Sequence, residues 1–201
     1  MVIGNPPYIT IGGKQDMNVN FKTKEILLKN YSSYTYKANY FVLFTEFGIN
    51  LTGIKGIVTY IVPRVLLDNT HMNKIREFIL NQTKILTLLE LKYKLFENAE
   101  TGGNLIFIIQ REFNNEIRNK NNVNTAILKG PTHLECLEKI TIPQIKYITS
   151  ENKIFSLNTM EIGTLVEKIQ EKSVSLGDIC LIRNGVNTGN AAKILLTKEN
   201  R

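Results

Sequence analysis

Cysteine and histidine are both scarce, two of each, and their placement excludes the simplest disulfide and metal chemistries. Cys136 and Cys180 stand at no metal-ligand spacing and form no partner pattern. That suits a reducing compartment, argues against a disulfide scaffold, and leaves both as packing residues. His71 and His133 have no carboxylate or thiol neighbour at ligand spacing, so they read as surface or capping residues and no metal is expected. No apolar run approaches the roughly 18 residues of a membrane span. The N-terminus also lacks the charged n-region of a signal peptide. The expectation is a soluble, cytoplasmic chain with no membrane partner.

What is present is enough for a real core. The 201 residues are 43% hydrophobic, which fits one domain plus part of a second and excludes a disordered chain. A net charge of +7 and a pI near 9.3 make a polyanionic partner plausible without selecting one.

The most informative stretch is the first. Met1-Val2-Ile3-Gly4 is an apolar run that stops at Asn5-Pro6-Pro7-Tyr8. Two consecutive prolines fix φ and push the preceding residue out of the helical region, so the backbone of Asn5 is extended and its side chain is aimed in advance. A buried strand ending in a rigid, polar, aromatic-tipped loop is the expected reading, with an ordinary turn as the plain alternative.

Residues 10–38 show no clear period and carry five lysines, Lys14, Lys22, Lys24, Lys29 and Lys37, against Asp16 and Glu25. Together with Tyr31, Tyr34 and Tyr36 they suit a basic loop that tracks a phosphate backbone and stacks on bases. The alternative is a solvated loop with a helix over 21–30 docking Phe21, Ile26 and Leu27 on the core. From Asn39, apolar residues at 40, 43, 44, 47 and 51 give a helical stripe, capped by Asn39 and ending near Gly53. Residues 56–62 form a β-branched strand closed by Pro63. Asp68, Asn69 or Thr70 caps a second helix; strands over 85–91 and 104–109 follow, joined by a polar turn that contains Phe96. Alternating helix and strand through residue 111 predicts an open α/β sheet with right-handed crossovers. Ligands in such sheets sit at the C-terminal strand edges, which places Asn5, Pro63 and the Phe96 turn on one rim. Phe96 either closes the core under its turn or forms a sandwich with Tyr8.

These residues carry a family resemblance. Ile3-Gly4-Asn5-Pro6-Pro7-Tyr8 resembles the catalytic motif of adenine-specific amino-group DNA methyltransferases. The order of the helix opening at 39–44, the strand of 56–67, the helix segment 76–80 and the turn of 95–99 is similar to TaqI-like and type IIG restriction-modification enzymes. The resemblance spans residues 1–112. It implies the C-terminal half of a Rossmann-like S-adenosylmethionine-dependent methyltransferase sheet. Under it, Asn5, Pro6, Pro7 and Tyr8 are catalytic, Tyr8 and Phe96 clamp a flipped adenine, and Asn5, Pro7 and Phe44 border the donor, S-adenosylmethionine. Double-stranded DNA is the implied partner, with Lys14, Lys37, Arg183 and Asn187 as its expected contacts.

One departure stands out. The family builds its donor pocket chiefly from a Gly-rich loop on strands before this motif, and neither Gly102-Gly103 nor Gly185 to Gly189 replaces it. The expectation is a catalytic segment of 1–112, a connecting region of 113–172, and at 173–201 the beginning of a mixed α/β target-recognition domain. Within them a helix is expected over 161–172 and strands at 125–128, 144–148 and after Gly177, with a plain β-hairpin as the alternative to a recognition-domain entry over 174–189. Such a chain is expected to be inactive alone and to require a missing N-terminal segment, with any nuclease fused elsewhere or separate. A methyltransferase for protein glutamine or RNA, or a non-catalytic DNA-binding remnant, are the alternatives.

Overall fold

Strand β1 (Val2–Gly4) ends where the prolines begin. The computed structural model describes residues 1–12, 19–35, 38–93, 95–96, 103–131, 139–157, 165, 168–169 and 171–183. They fall into two units, Met1–Thr159 and Met160–Arg201.

In the first unit the chain passes from β1 through helices α1 (Phe21–Asn30) and α2 (Tyr40–Leu51) to β2 (Ile57–Pro63). β2 lies parallel to β1, with Gly4 opposite Tyr60. Helix α3 (Asn73–Gln82) leads to β3 (Thr83–Leu91), and a turn leads back into β4 (Asn104–Arg111). β4 inserts between β2 and β3 and runs antiparallel to both. The α/β expectation holds, but the sheet is mixed rather than wholly parallel. β3 and β4 are antiparallel neighbours, so the chain between them makes a hairpin connection instead of a crossover. Because β1, β2 and β3 still point the same way, their C-terminal ends share one rim, joined there by the start of β4.

The sheet continues past residue 112. Helix α4 (Asn115–Asn119), β5 (Asn122–Leu128), β6 (Ile140–Pro143) and helix α5 (Gln144–Thr149) follow, and the strand order is β1-β2-β4-β3-β5-β6. Residues expected as a connecting region thus supply two strands of this sheet. The strand expected over 144–148 is helical instead. Pro143 ends β6, and the Gln144 side chain is tied to β3, donating to Thr83 O at 2.9 Å and accepting from Ile85 N–H at 2.9 Å.

The α2 stripe is reversed in part. Asn39 caps the helix as expected, its side chain accepting from the Phe41 N–H. Phe41, Val42, Leu43, Thr45, Glu46, Gly48 and Ile49 are buried, so Leu43 of the expected stripe faces inward, whereas Phe44, Phe47 and Leu51 are 43%, 49% and 62% exposed. The polar members of the buried face are satisfied: Thr45 Oγ1 donates to Phe41 O at 2.7 Å, and Glu46 accepts from the backbone and hydroxyls of Ser32 and Ser33. Gly48 lets the helix lie close over Tyr60. Helix α1 spans the expected 21–30 but buries no residue: Leu27 is half-buried, while Phe21 and Ile26 face solvent.

The main core joins α2 and α3 to the sheet through Phe41, Ile49, Ile75, Ile79, Val62, Leu88 and Phe107. Burying each such side chain contributes about 1.5–3 kcal/mol. Among the described residues no helix is long and apolar enough to cross a membrane.

In the second unit, helix α6 (Leu176–Ile179) replaces the expected start of a strand, and Cys180 after it is exposed rather than packed. Cys136, His133 and most of the helix expected over 161–172 lie outside the described residues. His71 is exposed.

Candidate active site

The opening loop is held from two sides. Tyr8 Oη donates to Ile61 O of β2 at 2.9 Å, and its ring meets Phe41 of α2 edge-on at 6.5 Å and 85°. On the other side the Tyr40 N–H donates to Ile9 O at 3.0 Å, the Ile11 N–H donates to Ala38 O at 3.0 Å, and Thr10 bridges Asn39. Burial pushes the Tyr8 hydroxyl up to about 12, so it remains a neutral donor at physiological pH. Pro6 is buried, while Asn5 and Pro7 are exposed. The anchors therefore lie on either side of an amide left free at the rim.

Gly4, just before this loop, stands opposite Tyr60 with room for an ordinary contact. A β-carbon there would stand 3.4 Å from the Tyr60 ring, which is itself buried between β1 and α2.

The other half of the rim is built around Arg64. Pro63 pairs with Asn104, and Asn104 with Leu91, so the ends of β2 and β3 and the start of β4 form one row. The Arg64 N–H donates to Gly103 O at 3.1 Å. Its Nε donates to Glu90 Oε1 at 2.6 Å, and a terminal nitrogen pairs with Asp68 at 3.0 Å. Burial works against the Arg64 charge, but the bond to Glu90 and the Asp68 charge outweigh it and hold its pKa above the ordinary value. Gly103 has φ +118°, and a β-carbon there would meet Leu91 O at 3.1 Å, so glycine is required. The turn closed by these contacts carries Phe96, which is half-buried, and Leu95, which is 40% exposed.

A second cation shapes the segment after β2. Arg76 of α3 is fully buried and donates to Leu66 O, Asn69 O and Asn152 O at 2.8–3.2 Å. Burial lowers its pKa to about 10. It stays charged at neutral pH and closes the loop that follows Arg64.

Of the residues singled out from the sequence, Asn5, Pro6, Pro7, Tyr8 and Phe96 lie along one rim. Phe44 is exposed on α2, one turn beyond Phe41. Arg183 is exposed in the second unit, and Lys14, Lys37 and Asn187 lie outside the described residues. Sequence reasoning missed Phe41 and the Arg64–Glu90 pair. The pair had a signal: Glu90 is an acid inside the apolar run 85–91, and a carboxylate buried there needs a cation.

With this geometry in view, a comparison with known families finds a match over part of the chain. Residues 1–96 match the Eco57I restriction-modification methylase family. The matched span contains the Asn5 loop, the Arg64–Glu90 pair and Phe96. No curated protein matches the chain.

Solved structures agree on the fold. A Listeria monocytogenes protein described as a class I S-adenosylmethionine-dependent methyltransferase is 19% identical, with a TM-score of 0.50 over 65% of this chain and 37% of its own. The DrdV–DNA complex is 15% identical, with a TM-score of 0.52 over 76% of this chain and 18% of its own. The type IIG restriction endonuclease BpuSI is 15% identical, with a TM-score of 0.53 over 98% of this chain and 26% of its own. The chain thus has the sheet of S-adenosylmethionine-dependent methyltransferases and spans less than two fifths of each of these proteins.

Proposed function

We propose that the chain supplies the base-binding side of an adenine-specific DNA methyltransferase in a restriction-modification system. The observation that carries this reading is the exposed Asn5 amide, held at the sheet rim by the Tyr8–Ile61 anchor inside the span that matches the Eco57I family.

An adenine amino group in a duplex must first leave the stack, which costs a few kcal/mol. Stacking on an aromatic ring returns about 1–3 kcal/mol per base. Tyr8 and Phe96 are the rings of this rim suited to that task. The amino nitrogen is a poor nucleophile because its lone pair is delocalised into the ring. The Asn5 side-chain oxygen and the Pro6 carbonyl, accepting its two hydrogens, favour a tetrahedral nitrogen with a localised lone pair. No strong base is then needed.

S-Adenosylmethionine, when bound, would supply a methyl group on a sulfonium. The residues in hand fit one side of it: Asn5, Pro7 and the exposed ring of Phe44. No described strand turns directly into a helix through a Gly-rich loop, so the rest of the donor site is not formed by the described residues. The partner would be double-stranded DNA, with Arg183 and the lysines Lys14 and Lys37 as phosphate contacts and Asn187 as a further contact.

The test is transfer of a labelled methyl group into duplex DNA by the intact protein. Asn5→Ala is expected to abolish transfer while leaving the melting temperature unchanged. Full activity in that variant refutes the role.

A further inference from the structure

We propose that Arg64 is a positioning residue for the aromatic turn: its clamp on Glu90 and Gly103 fixes where Phe96 stands on the rim. The proposal rests on the base-binding reading above and extends it to a residue which that reading does not use.

The geometry is specific. Glu90 is the penultimate residue of β3 and Gly103 immediately precedes β4, so they flank the turn that holds Phe96. Arg64 reaches both, the first through its side chain and the second through its backbone. Glu90 is 97% removed from solvent, and Arg64 is the partner that satisfies its charge. A buried pair of this kind is weak ground for a stability role, because apolar replacements often do as well. It is better ground for fixing register: with the guanidinium held between Glu90 and Asp68, the backbone N–H of the same residue meets the Gly103 carbonyl in one position, which favours a single closure of the turn. Arg64 also follows Pro63 directly, so it transmits the position of β2, which anchors Tyr8 through Ile61, to the turn that carries Phe96. One strand thereby sets both aromatic residues.

The experiment uses the full chain and 2-aminopurine riboside, an adenine analogue whose fluorescence falls when it stacks on an aromatic ring. Phe96→Ala is expected to weaken its binding by about tenfold, the loss of one stacking partner. Arg64→Gln is expected to weaken it by a similar factor, Arg64→Lys by less, and Arg64→Gln in the Phe96→Ala background by nothing further. Amide exchange at Leu95, Phe96 and Gly103 should rise in Arg64→Gln. Because that variant strands a buried carboxylate, Arg64→Gln with Glu90→Gln serves as the folded control and should show the same two effects. Additive losses, or wild-type probe binding in both Arg64 variants, overturn the positioning role. If Phe96→Ala binds the probe as the wild type does, the base-binding reading fails first and the proposal with it.

Discussion

A β-carbon on Gly48 would stand 2.6 Å from the Tyr60 hydroxyl and 3.2 Å from the ring carbon that bears it. Phe107 meets the Tyr60 ring edge-on at 5.9 Å and limits its retreat. The glycine is therefore what lets α2 approach β2 closely enough to bury Phe41 beneath the Asn5 loop.

Gly48→Ala sets two effects in opposition. Alanine gains about 0.5–1 kcal/mol of helix propensity, while overpacking a buried contact costs about 1–3 kcal/mol. The clash is with a confined ring, so the net outcome is destabilisation, read as a lower denaturant midpoint. Tyr60→Phe removes the nearest clashing atom and should recover part of the loss in the double variant.

Tyr8 makes a pH prediction. Its ordinary value is 10.0 and the fold raises it to about 12. Below pH 10 the folded and unfolded chains both hold the proton. Between pH 10 and 12 the unfolded chain gives it up first, so stability falls as pH rises through that window. Tyr34, Tyr60 and Tyr147 are raised by the same cause and add to the slope. Denaturant melts across the window should be less steep in pH for Tyr8→Phe than for wild type, and an unchanged slope would contradict the Tyr8 assignment.

Where the sequence was legible, it was because one local rule acted alone. The two prolines fix the Asn5 loop, Pro63 closes a β-branched strand, and Asn39 caps α2; each of these stands where expected. The α2 stripe was misread because the helix is apolar on two sides, and periodicity does not say which side meets the sheet. What decided it was polar satisfaction by residues distant in sequence, with Ser32 and Ser33 meeting Glu46, and the gap at Gly48. Residues 144–149 went astray similarly, since their helix depends on Gln144 reaching β3. The Arg64 clamp was legible only as an unexplained acid in an apolar run; its partner lies 26 positions away.

The exposed side of α2 gives a direct consequence. Phe47 and Leu51 are both exposed, so Phe47→Gln and Leu51→Gln should each change stability by no more than about 0.5 kcal/mol. A stripe facing the core would instead cost about 2–5 kcal/mol per truncation. Thermal melts separate the two outcomes.

Donor affinity follows from the strand-to-helix connections. Without a Gly-rich turn among the described residues, the isolated chain is expected to bind S-adenosylmethionine more weakly than about micromolar. Calorimetric titration that found micromolar affinity would show that the remaining residues complete the pocket.

Glu46 provides the sharpest stability test, because its four contacts converge on one side chain. Ser32 N–H and Oγ donate to Oε1 at 2.9 and 3.0 Å, and Ser33 N–H and Oγ donate to Oε2 at 2.8 and 2.5 Å. Glu46 is 3% exposed and Ser33 1%, so water cannot readily replace the carboxylate at Ser33. Glu46→Ala strands the Ser33 donors at about 1–3 kcal/mol each, whereas the two on Ser32, which is exposed, recover solvent at little cost. Glu46→Gln keeps two acceptor lone pairs on one oxygen but turns an amide hydrogen toward a donor. The order of stability is therefore wild type, then Gln, then Ala, with Ala down by at least about 2 kcal/mol in a denaturant melt. Because this carboxylate holds the segment from which Ala38 bonds Ile11, its loss should also loosen the loop. Faster amide exchange at Ile11 and Tyr40 in Glu46→Ala, with Gly4 of β1 unchanged, would trace that route from α2 to the opening loop.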